Sequence, residues 1–141
     1  MRSGLLIDDR ILVDGLASGR PFADGCMTTP LWHYRACRDA VVGAGGQLSG
    51  PFLQLNLARQ RAAIRELLRL PTEIELPDMR RVVPEMARLA ERHARLNVMN
   101  LQAAAAAKVH ELDVALSPKA ATGVLPAVLD DEQIDWRVVE V

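Results

Sequence analysis

The run Leu5-Leu6-Ile7 constrains this chain more than any other segment. It is continuously apolar, closes on the acid pair Asp8-Asp9, and passes without a turn into helical spacing at Ile11, Leu12, Gly15 and Leu16. A short apolar run of this kind suits a buried strand. Gly19 supplies a stop for the helix that follows. The alternation then repeats. Cys26 to Thr29 suits a second short strand, and Thr29-Pro30 places an N-cap ahead of a proline at the first helical position. The spacing predicts a helix from Leu31 to about Val42, broken by Gly43-Ala44-Gly45-Gly46. That glycine cluster follows a helix and precedes no Gly-Lys-Ser/Thr, so it reads as a linker rather than a phosphate loop.

The second half keeps the pattern. A helix is expected from Leu53 to Leu70 with Leu57, Ile64, Leu67 and Leu68 inward, stopped by Pro71. Thr72 to Leu76 alternates as a strand, and Pro77-Asp78 opens a helix carrying Val82, Met86, Leu89 and Ala90 inward. Pro84 is awkward there, so that helix either starts after Val83 or kinks. Asn97 can cap a helix from Val98 to Leu112, whose run Ala103 to Ala107 has the highest helix propensity available. Asp113 to Leu116 is a strand, Ser117 to Gly123 a loop, and Trp136 to Val141 a last strand. Short strands separated by helices argue an α/β fold with a central parallel sheet of about four to five strands and helices on both faces.

At 141 residues the chain fits a single domain, 1–141. A net charge of −1 gives no global pull toward nucleic acid or membrane. No apolar run approaches the ~20 residues of a membrane helix, and the acids at Asp8-Asp9 come too early for a signal peptide. With Cys26 and Cys37 as the only cysteines, a reducing, cytoplasmic setting is expected. Charge is nonetheless uneven. Residues 59–95 hold nine Arg against six acids, and residues 111–141 hold seven acids against Lys119 and Arg137. Arg61, Arg65 and Arg69 recur at i, i+4 and i+8 and so share one helix face. That stripe is either a solvated face or a phosphate track for nucleic acid.

Single residues offer little chemistry by themselves. His33, His93 and His110 have no pair at helical zinc spacing. Cys26 and Cys37 suit small buried hydrophobes, and Met79, Met86 and Met99 suit core filler. Trp32, Tyr34 and Trp136 could stack bases, with burial as the default. Asp8 can cap the helix after it or face a cleft.

Four segments in order resemble the PIN-domain family, and within it the toxin ribonucleases of bacterial VapBC toxin–antitoxin pairs. They are Leu5 to Leu16, Thr28 to Leu31, Ile74 to Leu76 with its following helix, and Leu96 to Ala105. The resemblance implies a cleft of three or four carboxylates holding Mg²⁺ or Mn²⁺, an antitoxin protein as partner, single-stranded RNA as substrate, and a homodimer. Hard dications prefer such oxygen ligands and use them to activate water on a phosphodiester. Carried over by position, the first acid is Asp8, with Asp9 beside it as the other candidate catalytic residue. The second falls on Arg35, the third on Asn100, and the last near Ser117 or Pro118. An incomplete acidic site implies RNA or partner binding with weak or no nuclease activity. The competing readings are an active endoribonuclease with displaced ligands, Asp24 or Asp113 among them, and a structural or interaction module.

Overall fold

Leu5 pairs with Cys26 on one side and with Asp113 on the other, and this register sets the frame. The computed structural model describes residues 4–43 and 46–141, without the side chains of 46–48. Strand β1 (Leu5–Ile7) lies between β2 (Cys26–Met27) and β3 (Asp113–Leu116), and β4 (Trp136–Val138) pairs with β3. All the pairings are parallel, in the order β2-β1-β3-β4. The expected parallel sheet is present with four strands. The stretch 72–76 contributes only a bridge, Glu75 to Met27. Glu75 exchanges hydrogen bonds with Cys26 and Thr28, and the next position that would have to donate to that ladder is Pro77, which has no N–H.

Side chains alternate across the sheet and build a core on each face. Leu6, Val114 and Leu116 enter one hydrophobic cluster, whereas Ile7 and Ala115 enter the other. The first cluster is closed by α5 (Met79–Arg92), α6 (Val98–His110) and α8 (Leu125–Asp131). Every residue from Ala103 to Ala107 is fully buried, so a helix of minimal side chains can run through the interior. The second cluster is closed by α1 (Asp9–Ser18), α3 (Gly46–Leu53) and α4 (Leu57–Arg69). Helix α2 (Pro30–Val42) straddles the two, with Trp32 in one cluster and Ala36 and Ala40 in the other. A short α7 (Pro118–Ala121) follows β3.

Local signals hold where a cap decides them. Gly19 ends α1 at φ 73°, and Thr29 and Asn97 each accept the backbone N–H three residues on. Gly43 caps α2; residues 44 and 45 of the expected linker lie outside the described residues. Other expectations are corrected. The expected helix 53–70 is shortened to α4: Leu53 ends α3, which the sequence reading did not have, and Asn56 turns extended and caps α4 by accepting from the Arg59 N–H. Leu57 and Leu68 are therefore exposed, and Ala63 and Leu67 take the buried face. Ala90 is exposed, and α5 runs through Pro84 from a cap at Asp78. The loop 117–123 contains α7, and the sequence reading had no counterpart for α8. Tyr34 is exposed rather than buried. No described helix is long and apolar enough to cross a membrane.

Candidate functional site

The chain leaves β1, pairs β2 on one side, and returns as β3 on the other side of β1. Such a reversal opens a crevice at the C-terminal ends of the two central strands. Asp8 follows β1 and Ser117 follows β3, so both stand at that crevice. Asp8 is fully buried. Its Oδ1 accepts from the Ile11 N–H at 3.0 Å, capping α1. Its Oδ2 accepts from the Ser117 N–H at 2.8 Å and from the Ser117 hydroxyl at 2.6 Å. Burial pushes the Asp8 carboxyl above the usual aspartate range, although these donors and the Ile11 amide pull the other way.

Asp9 opens α1 and is also fully buried. Its Oδ2 accepts a hydrogen bond from Nε of Arg35, which projects from α2. Its Oδ1 has Arg10 Nη1 at 3.8 Å and no hydrogen-bond donor. The bond to Asp9 is the main reason that the Arg35 guanidinium is held more firmly protonated than usual. Arg35 and Asn100 line one cavity of about 210 Å³, together with Arg10, Asn97, Lys119 and Trp32. No acid lines it. Asp8 and Asp9 are packed out of its wall by burial.

One chain of the 2.2 Å resolution structure of VapBC-1 from nontypeable Haemophilus influenzae is similar to this one over 96% of this chain and 98% of that chain, with a TM-score of 0.53 and 12% identity. The likeness is one of fold. It extends over the whole α/β frame and agrees with a PIN-like arrangement of the four-stranded sheet. No family model matches the sequence, and no curated protein does.

The donor set at the crevice does not fit Mg²⁺ or Mn²⁺. A hard dication needs several oxygen ligands with free lone pairs and net negative charge. Asp8 spends its oxygens on three protein donors and Asp9 gives Oδ2 to Arg35; the Asp9 Oδ1, 3.8 Å from Arg10, accepts no hydrogen bond, but one buried carboxylate oxygen beside two guanidinium groups does not make a dication site. Asn100 has a carboxamide oxygen to offer, without charge. Asp113 stands opposite Leu5 at the far edge of the sheet, and Asp24 precedes β2 at that same edge. Neither joins Asp8.

Elsewhere, His93, Asp131 and Glu132 lie close enough to suggest a metal cluster. Glu132 is already occupied: Arg92 donates at 3.0 and 3.1 Å, Lys108 donates at 2.7 Å, and His93 Nε2 lies 2.7 Å away. Arg92, foremost among these donors, holds the Glu132 carboxyl down to about 2. The cluster is an ion-pair network joining α5, α6 and α8. Arg61, Arg65 and Arg69 are exposed on α4 and do not line the cavity. Cys26 and Cys37 are free thiols, and burial pushes both pKa values up, that of Cys26 to about 11. The sequence reading missed Arg10 and Lys119. Arg10 follows two candidate ligands directly, and a basic residue there was the available signal.

Proposed function

We propose that this chain is a PIN-fold protein of the VapC type, in a toxin–antitoxin pair, whose metal site has lapsed, so that it binds RNA without rapid hydrolysis. The observation that carries this reading is the fate of the two adjacent aspartates: one is tied to Ser117 and the other to Arg35. Their partners stand at the positions where the resemblance expects further carboxylates. A serine donor and a guanidinium there turn ligand positions into groups that consume the remaining acids.

The fold likeness supports the frame, and the toxin–antitoxin setting follows from VapBC-1 by analogy. An antitoxin partner, a homodimer and a cytoplasmic location belong to the same analogy. Titration calorimetry with Mn²⁺ at neutral pH, beside an assay on mixed single-stranded RNA, tests the reading. The expected result is no saturable metal site below millimolar concentration and no metal-dependent cleavage. A sub-millimolar site with cleavage would restore the reading of an active endoribonuclease.

A further inference from the structure

The cavity at the switch point is more than a site that has lost something. Three cations from three different helices meet on it: Arg10 of α1, Arg35 of α2 and Lys119 of α7. They lie far apart in sequence, so no local charge run explains their meeting. Arg35 engages Asp9 through Nε, and a guanidinium has further N–H donors beyond that one. Lys119 is exposed and has no ion-pair partner among the described residues. Arg10 is mostly buried, at 13% exposure, and its Nε lacks an acceptor. The carboxamides of Asn97 and Asn100 add neutral donors on the same wall. No acid lines the cavity, so every charged group that a ligand meets there is a cation, set beside the apolar Trp32, Met99, Val124 and Leu125.

We propose that this cavity is a phosphate-binding site, and that it holds an RNA phosphate group where the resemblance would place a metal ion. The choice of RNA rests on the functional reading above. The chemistry favours a phosphate over a carboxylate because donors converge from several directions. A carboxylate is planar and saturates one guanidinium, whereas a phosphate presents oxygens in all directions to Arg, Lys and amide groups. At about 210 Å³ the cavity is several times the ~30 Å³ that one water occupies in the liquid. The buried Asp9 has a positioning role: it fixes the Arg35 guanidinium at the cavity wall.

The test is fluorescence anisotropy of a labelled single-stranded RNA in EDTA, so that no metal chemistry intervenes. Inorganic phosphate serves as competitor. The wild type should bind RNA and lose it to phosphate. Lys119→Ala should weaken binding about fivefold at low salt, the upper range for one exposed charge, and should reduce the salt slope by about one. Asn100→Asp should weaken it as well, by placing an acid on the wall beside Arg35. RNA ending in a 5′-phosphate, compared with the same RNA ending in a 5′-hydroxyl, separates the sources. Equal affinity assigns the site to an internal phosphodiester, and tighter binding of the former to a terminal phosphate. Failure of RNA to bind, indifference to both substitutions, or loss of binding only on Arg61, Arg65 and Arg69→Gln overturns the proposal. So does preference for an acidic peptide over RNA. Metal-dependent cleavage by the wild type would sink the lapsed-enzyme reading and with it the placing of a phosphate where a metal would sit, whereas RNA binding that ignores Lys119 and Asn100 without any cleavage would sink this proposal alone.

Discussion

Restoring carboxylates at positions 35 and 100 is the sharpest test of whether this crevice is a former metal site. Arg35→Glu with Asn100→Asp changes the local charge by three units, two at position 35 and one at position 100. The structure sets the cost. Removing one partner of a buried ion pair costs about 3–5 kcal/mol. Arg35 retains 29% exposure, and Asp9 keeps Arg10 at 3.8 Å, so solvent and the second cation reduce that to about 2 kcal/mol. For a domain of this size the melting temperature should fall by about 4–8 °C in EDTA. Replacing Arg35 also frees Asp9, so the two new acids on the cavity wall would stand beside an unpaired carboxylate, a set that favours a dication. At a Mn²⁺ concentration a hundredfold above Kd, mass action returns about 2.7 kcal/mol, so the melting temperature should rise again by roughly 5–11 °C. The assay is thermal unfolding of wild type, both single variants and the double variant, each with Mn²⁺ and with EDTA, followed by RNA cleavage. Asn100→Asp alone should gain little, because Arg35 remains to pair with the new acid. A double variant that folds yet gains no more from Mn²⁺ than the wild type would refute the mapping of these positions onto a metal site.

Other consequences follow from the same geometry. Ser117→Ala removes the hydroxyl donor to Asp8 and should cost about 2 kcal/mol, the range for a hydrogen bond to a charged group. Burial already sets the Asp8 carboxyl above its ordinary value, so the folded state holds this proton more tightly than the unfolded chain does. Its contribution to stability falls as pH rises through the folded pKa. Ser117→Ala should therefore lose more at pH 7 than at pH 4 in denaturant titrations, and equal losses would contradict the account. Glu132 behaves oppositely. Its carboxyl is held down to about 2 against an ordinary 4.5, so its stabilisation is present above the ordinary value and is lost as pH falls toward 2. Glu132→Gln should flatten that acid limb of the stability profile; an unchanged limb would assign acid unfolding to other groups. Gly4→Ala should destabilise by about 1–3 kcal/mol, because a Cβ there would lie 2.6 Å from the Gly25 carbonyl oxygen and 2.7 Å from Leu112 Cδ2. A chemical melt within 0.5 kcal/mol of wild type would show that the backbone there can shift, within the range ordinary for surface changes.

What the sequence determined by itself is local. Asp8, Thr29 and Asn97 cap helices within three residues of themselves, and such bonds need only a side-chain oxygen and the next turn of backbone. The short apolar runs at Leu5 and Val114 mark central strands because a buried parallel strand needs apolar residues on both faces. The Leu53 to Leu70 helix failed for the same local reason, since Asn56 was read as helix interior rather than as a cap. Tertiary structure decided the site. The Asp8 bonds to Ser117 span 109 residues and the Asp9 bond to Arg35 spans 26. Both exist because the strand order reverses beside β1 and brings the ends of β1, β3 and α2 together. In the sequence, Asp8 and Asp9 are two potential metal ligands. Only the folded structure shows that Asp8 is held by Ser117 and Asp9 by Arg35, and only the packing of α1, α2 and α7 brings Arg10, Arg35 and Lys119 onto one wall.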